Sequence, residues 1–390
     1  RWTAYEEVID SNAMIAGEAS GDLHGASLIR ALRQEDAKAQ FQFLGGDMMA
    51  EAADVRPLIH YRDMAYMGFV EVLKHLPTIL GFMATAKKAI MDNRPDAVIL
   101  IDYPSFNLKI AKFAHDKGIP CFYFISPKVW VWKEYRVKQI KRYIARLFSI
   151  LPFETAFFRK HDYEVEYVGN PSVKEIADAA QQFTHFSTFV ADNGLDDEKP
   201  IIAIVPGSRR KEIRDNLPTM VEAALRHPDY QLVIAGAPSI SQHLYDEVLE
   251  PLGVQVPVLH GKSFELVHHA RVALVTSGTA TLETAILGTP QIACYRMNGS
   301  KFIYKFYRRL LKGKYVTLPN LVTDEPIIPE LLLHFCSADA VDSHLTALLA
   351  DSAERKQMLD GYSRMRQILT NKDCTTCTAK GIVEYLKKQK

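Results

Sequence analysis

The sequence predicts an α/β protein built from two doubly wound, Rossmann-like domains. Three observations carry this expectation. Short apolar runs rich in β-branched residues alternate with helical stretches along the chain. Several of those runs end in small-residue turns that open a helix: GEASGD at 17–22, PGSR at 206–209 and TSGT at 276–279. A length of 390 residues with 48% apolar content is ample for two packed cores and long for one. The net charge of +1 carries no whole-chain signature of a nucleic-acid binder. No window reaches the roughly 18 uninterrupted apolar residues of a membrane span, and no signal peptide precedes the first strand, so a cytoplasmic location is expected.

Taken in order, residues 1–13 are set aside. Ser11-Asn12-Ala13 before Met14 reads as a protease-cleavage scar left by an expression vector. The first strand is then short, at 14–16, and leads into GEASGD and a helix over 24–33. That turn lacks the G-x-G-x-x-G spacing, which disfavours a nicotinamide cofactor but leaves room for a phosphate or hydroxyl. Glu18 and Asp22 there are most simply helix caps. Residues 67–83, MGFVEVLKHLPTILGFM, are too interrupted to span a bilayer. They suit either an amphipathic helix pair in the core or an apolar face on a lipid surface. The run at 97–101 is a buried-type strand with Asp102 at its carboxyl end, where open α/β sheets build their sites. Pro104 sets the turn, and Asn107 opens the next helix. A carboxylate so placed can take a proton from a hydroxyl nucleophile; the structural alternative is a helix cap. The first half closes at Gly169-Asn170-Pro171, and the polar stretch at 181–199 reads as helix ends and linker.

The second half repeats the logic from Ile201. The strand at 201–205 runs into PGSR, where Arg209 can pair with a diphosphate. The strand at 272–275 ends at Thr276-Ser277-Gly278-Thr279, with Thr279 as a candidate cap. The unpaired N–H groups of such a turn suit a phosphate, and Glu283, one helical turn beyond Thr279, can reach a sugar hydroxyl. A ligand-free βαβ unit is the competing reading of this segment. Residues 300–314, SKFIYKFYRRLLKGK, mix basic and aromatic side chains as an anionic membrane surface or an ordinary amphipathic helix would require. Of five cysteines, only Cys374 and Cys377 form a C-x-x-C pair, read as reduced thiols on a terminal helix or turn.

Seven motifs together carry a resemblance: GEASGDLHG (17–25), IDYPSFN (101–107), SPKVWVW (126–132), LPFE (151–154), PGSR with Glu212-Ile213, SGTATLE (277–283) and LPN (318–320). Their order and spacing resemble those of the lipid-A-disaccharide synthase family, from Met14 nearly to the C-terminus. The short first strand departs from that pattern, as does Asn170, where many relatives are expected to carry histidine.

The resemblance implies a metal-independent, cofactor-free, inverting glycosyltransferase of the B type, with two Rossmann-like domains facing across a cleft. It would transfer 2,3-diacylglucosamine from UDP-2,3-diacylglucosamine to the 6-hydroxyl of 2,3-diacylglucosamine 1-phosphate, giving the β(1→6) disaccharide 1-phosphate and UDP. Asp102 is then the general base. Arg209 and Ser277, Gly278 and Thr279 bind the diphosphate, Glu283 the ribose, and Asn320 lies near the nucleotide. Glu18 and Ser20 lie on the acceptor side. The first domain is expected over 14–170 plus a returning helix at about 362–390, and the second over 171–361. Both substrates carry acyl chains, which implies peripheral docking on the cytoplasmic face of the inner membrane, with Phe69, Leu73 and Phe82 as apolar contacts and no nucleic-acid partner. A UDP-N-acetylglucosamine 2-epimerase or peptidoglycan glycosyltransferase would share the nucleotide side, and a non-catalytic nucleotide-sugar binder would not need Asp102.

Overall fold

Two parallel sheets organise the computed structural model, which describes residues 11–64, 76–129, 135–276, 278–297 and 314–389. The expected contacts Phe69 and Leu73, residue Ser277 and nearly all of the basic stretch at 300–314 lie outside the described residues. The chain divides into a first unit that ends at Asn170 and regains the chain at Lys372, and a second unit over Pro171–Asn371.

In the first unit the strand order is β3-β2-β1-β4-β5-β6-β7. The strands are β1 (Ser11–Ala16), β2 (Gln40–Gly45), β3 (Ile59–His60), β4 (Ala97–Ile101), β5 (Cys121–Phe124), β6 (Arg146–Ser149) and β7 (Glu166–Tyr167). Every residue of β4 is buried, as expected of a central parallel strand with helices on both faces. Ser11, Asn12 and Ala13, set aside on sequence, are the first half of β1. They pair with Gln40, Phe41 and Gln42 of β2, while Asn12 and Ala13 also pair with Ala97 and Val98 of β4. The carbonyl of Ser11 accepts from the Asp96 amide at 2.8 Å. The physical reason is ladder matching: a strand of only Met14–Ala16 would leave the amino ends of β2 and β4 without backbone partners. Main-chain pairing needs no particular side chain, so Ser, Asn and Ala serve.

Asp22 also departs from expectation. It caps not its own helix, Ala19–Glu35, but the next one, Asp47–Ala53. Its buried carboxylate accepts from the amides of Gly46 at 2.8 Å and of Met48 and Met49 at 3.1 Å. That clamps the turn after β2 onto the turn after β1. The last helix, Cys374–Gln389, returns to this unit and packs on Ala19–Glu35. Ala379, Ile382 and Val383 join Met14, Ile29, Phe122 and Phe148 in one core, with the Cys374 thiol buried beside them.

The second unit has the order β10-β9-β8-β11-β12-β13, with β8 (Ile201–Val205), β9 (Gln231–Gly236), β10 (Val258–His260), β11 (Val272–Val275), β12 (Gln291–Tyr295) and β13 (Glu330–Leu332). The chain leaves this unit later than the expected point near residue 362, because the whole helix Ala353–Leu369 is anchored here. The buried Tyr362 hydroxyl donates to the Thr289 carbonyl at 2.9 Å and accepts from the Gln291 amide at 3.2 Å.

In both sheets the order reverses beside the first strand, at β1/β4 and at β8/β11, which is where open α/β sheets leave a crevice at the strands' carboxyl ends. Asp22→Ala is expected to strip three amides of their acceptor and cost about 1–3 kcal/mol. Urea denaturation followed by circular dichroism should show an earlier midpoint, and an unmoved midpoint would remove Asp22 from this clamp.

Candidate functional site

At the carboxyl end of β4 the backbone turns through two consecutive left-handed residues, Asp102 (φ +46°) and Tyr103 (φ +45°). Non-glycine residues rarely adopt this conformation, and two in succession must be held from outside. The hold is on the Asp102 carbonyl. It accepts from the Asn107 side-chain amide at 2.9 Å and from the Tyr123 hydroxyl of β5. Asn107 is fully buried, and its amide also reaches the carbonyls of Ile15 and Ile101. Gly17, at the end of β1, makes room for this turn: a Cβ there would lie 2.5 Å from the Tyr103 ring.

Thus pinned, the Asp102 carboxyl is pushed up to about 6, first by burial and then by the charge of Glu18, against a smaller opposing pull from Lys128. A carboxylate so tuned is a stronger proton acceptor near neutrality than an ordinary one. His24 lies on the same end of the sheet, its ring edge-on to Phe124, but burial lowers it to about 4 and leaves it a weaker acceptor than Asp102. Glu18 does not cap its helix; it accepts from the Ser20 hydroxyl at 2.8 Å and is half-buried. Asp102, Glu18 and Ser20 are thus grouped at one sheet end. Asn170 closes the first unit by donating to the Ile150 carbonyl at 3.0 Å.

In the second unit the turns after β8 and β11 lie side by side, since Val205 pairs with Val275 and its carbonyl accepts from Thr276. Arg209 stands exposed at the N-terminus of the helix Arg210–Ala224; burial and then Glu212 push the Tyr295 hydroxyl at the end of β12 up, and Arg209 opposes that rise in part. The Glu212 carboxylate folds back on this turn and accepts from the amides of Ser208 at 3.2 Å and Arg209 at 3.4 Å. Gly207 (φ +109°) permits that fold, because a Cβ would meet Glu212 at 2.6 Å. The turn after β11 carries no such internal carboxylate among the described residues, and Gly278 and Thr279 are exposed there. Its helix begins at Gly278, so Thr279 lies within the first turn and is not the cap.

Glu283 lies further along that helix and is pushed up to about 7 by burial, then by the charge of Glu175 on the adjacent helix Pro171–Ala180. Asn320 is the expected site residue that the structure commits elsewhere. It is buried, its amide donates to the Ile328 carbonyl and to Glu330 at 3.0 Å each, and its oxygen accepts from the Ile328 amide at 3.0 Å. These bonds latch the helix Leu318–Thr323 to the segment before β13. Phe82, expected at a lipid contact, is half-buried against the core of the first unit.

The protein family described as "Lipid-A-disaccharide synthetase" matches residues 12–381. The chain belongs to the lipid-A-disaccharide synthase family. It is 36% identical over 370 residues to the lipid-A-disaccharide synthase of Acidobacterium capsulatum, covering 91% of this chain and 90% of the relative. It is likewise 36% identical over 379 residues to that of Myxococcus xanthus, covering 96% and 97%. Among solved structures, the UDP-GlcNAc 2-epimerase from Neisseria meningitidis bound to UDP-GlcNAc matches with TM-score 0.63 at 13% identity, covering 97% of this chain and all of that one. The glycotransferase of kitacinnamycin matches with TM-score 0.58 at 14% identity, covering 97% and 99%. At such identity these neighbours speak for the fold, the B-type pairing of two Rossmann-like units, and not for activity. Family membership carries the activity: this lipid-A-disaccharide synthase homologue is a UDP-sugar glycosyltransferase of lipid A biosynthesis, and the epimerase and non-catalytic readings are not favoured.

Four residues of this synthase-family site were not singled out on sequence. Lys128 sits inside SPKVWVW, where the motif itself was the available signal. Asn107 opens a helix on sequence, and neither Tyr123 nor Glu175 carries a signal of its own there.

If Asp102 acts as base, kcat/KM should rise with pH through about 6 and level off above it. Asp102→Asn should lose that limb and about 10²- to 10⁴-fold in rate. Because the folded-state value is raised, ionisation of Asp102 costs stability: nothing below about pH 4, and the full amount above about 6. Asp102→Asn should therefore be more stable than wild type above pH 6, by about 1–3 kcal/mol, and equal to it below pH 4. Unchanged rates, or equal stability at both ends of the pH range, would count against this assignment.

For Glu283, an ionised carboxylate accepts hydroxyl hydrogens, so UDP affinity measured by calorimetry should weaken as pH falls through about 7. Glu283→Gln should flatten that component, and Glu175→Gln should move its midpoint down. Identical profiles in all three proteins would separate Glu283 from the nucleotide.

Proposed function

We propose that the protein transfers 2,3-diacylglucosamine from UDP-2,3-diacylglucosamine to the 6-hydroxyl of 2,3-diacylglucosamine 1-phosphate, with inversion at the anomeric carbon. The observation that carries the residue assignment is the half-buried Asp102 carboxyl, raised into the working pH range on a strained and doubly anchored turn. In this reading the acceptor hydroxyl gives its proton to Asp102 as its oxygen attacks the anomeric carbon. The bond from that carbon to the UDP oxygen breaks, and the electron pair leaves with UDP. The charge developing on the diphosphate meets Arg209 and the exposed amides at the start of the helix Gly278–Leu287, from Gly278 and Thr279 with Ser277 before them. Glu283 takes the ribose hydroxyls. Glu18 and Ser20 line the acceptor side, with Glu18 also keeping the base raised. Asn320 acts by positioning, since its amide hydrogens are spent inside the protein.

Peripheral docking on the cytoplasmic face of the inner membrane belongs to the same proposal, because both substrates are acylated. Among the described residues no helix is long and apolar enough to cross a membrane. The helix Leu76–Asn93 exposes Leu76 and Leu80 while Met83 turns into the core, so these two leucines join Phe69 and Leu73 as the apolar contact, and Phe82 supports them from the core side. Basic side chains of the 300–314 stretch add attraction of about 1 kcal/mol each near an anionic surface.

One assay tests the reading. UDP release from the acylated donor, in excess EDTA, should require the sugar 1-phosphate acceptor and proceed on both anionic vesicles and detergent micelles. The double variant Leu76→Ser, Leu80→Ser should lose rate on vesicles and keep it in detergent. Acceptor-independent UDP release, or dependence on added magnesium, would sink the proposed reaction. Equal losses on both dispersions would sink the docking face.

A further inference from the structure

The first unit contains positive charge that the roles above leave unused. Arg136 opens the helix Arg136–Tyr143 and is only 9% exposed. Its guanidinium donates to the Ser105 hydroxyl at 3.0 Å, and no carboxylate among the described residues pairs with it. A buried guanidinium whose partner among the described residues is a neutral hydroxyl is costly to keep, since taking it from water is repaid only by an anion or by several acceptors. Lys128, in the loop after β5, is exposed and likewise has no carboxylate partner among the described residues.

Both cations lie around Asp102, yet neither neutralises it. Lys128 acts on the Asp102 carboxyl itself. Arg136 acts instead on the Tyr123 hydroxyl, which donates to the Asp102 main-chain carbonyl. Ser105 lies in the first turn of the helix Pro104–Asp116, whose partial positive charge adds to the pair. The fork of an arginine with a nearby hydroxyl and a helix start is a strong acceptor of a phosphate monoester, and a mobile lysine completes the neutralisation of a dianion.

We propose that Arg136, Lys128 and the Ser105 hydroxyl form the subsite for the phosphate monoester of the acceptor sugar, and that gripping this phosphate turns the sugar's 6-hydroxyl toward Asp102. The inference rests on the acceptor being a sugar 1-phosphate, as proposed above. It gives the enzyme a means of choosing phosphorylated over unphosphorylated glycolipid without touching the nucleotide half of the reaction.

The test compares 2,3-diacylglucosamine 1-phosphate with the same sugar lacking its phosphate, using the full-length chain in detergent. Wild type should prefer the phosphorylated acceptor. In Arg136→Gln and in Lys128→Gln the KM for that acceptor should rise about 10- to 100-fold, as loss of a charge-assisted contact predicts. The KM for the unphosphorylated sugar, the KM for the donor and the affinity for UDP should stay within about twofold of wild type. Arg136→Lys, which keeps the charge and loses the fork, should fall between. Lys128 is exposed, so its variant remains decisive if Arg136→Gln folds poorly. Retention of the full preference in Lys128→Gln and Arg136→Lys would overturn the subsite, as would a wild type that does not discriminate between the acceptors. A wild type that uses neither acceptor would overturn the proposed reaction itself, and the subsite with it.

Discussion

Two hydrogen bonds to one main-chain oxygen hold the chemistry of the first unit in place. The Asp102 carbonyl is gripped by Asn107 from its own helix and by Tyr123 from the neighbouring strand. Without them nothing obliges two consecutive non-glycine residues to stay in a left-handed conformation that costs of order 1–3 kcal/mol each. With them the half-buried carboxyl stays where burial and Glu18 raise its proton affinity, as the proposed base requires. Gly17 and Tyr103 belong to the same constraint, because the ring occupies the place a side chain on residue 17 would need. Strain at this turn is therefore part of how an ordinary aspartate becomes a useful proton acceptor.

The two units share a topology and apply it to opposite tasks. At the β1/β4 reversal the loops bring a raised carboxylate near cations that have no carboxylate partner among the described residues, the setting proposed for a hydroxyl and a phosphate ester. At the β8/β11 reversal they present helix starts. The two helix starts there are not equivalent. Before Arg210–Ala224 the Glu212 carboxylate occupies the turn amides of Ser208 and Arg209, while the Arg209 side chain stands exposed. At Gly278–Leu287 no carboxylate among the described residues folds back on the turn, and its first amides are the ones proposed to meet phosphate oxygens. Burial, with the repulsion of Glu175 added to it, brings Glu283 into the neutral pH range.

Much of this was legible in the linear sequence. The α/β class, the strands around 97–101, 201–205 and 272–275, and the candidates Asp102, Arg209 and Glu283 follow from apolar runs ending at small-residue turns. Those signals are local: a parallel strand buried on both faces must be apolar, and the turn after it must be small or polar. Other features were misjudged for equally physical reasons. Ser11 to Ala13 carry no strand signal because their contribution to β1 is purely main-chain pairing. Asp22 pointed to a cap but not to which helix, since its target lies across a separate strand-to-turn unit. The resemblance puts Asn320 near the nucleotide, and only packing reveals that its amide is bonded to Ile328 and Glu330.

By itself the sequence determined the fold class, the family and the residue types that can serve the reaction, because periodicity, turn composition and ordered motifs are written in neighbouring positions. Tertiary structure alone decided what those residues are able to do. Residue 102 lies far along the chain from Glu18, as Ser105 does from Arg136 and Glu175 from Glu283, and charge, burial and hydrogen bonding act through space. The proton affinity of Asp102, the separation of Arg136 from the carboxylates among the described residues and the repulsion within the Glu175–Glu283 pair therefore exist only once the strands are stacked in their final order.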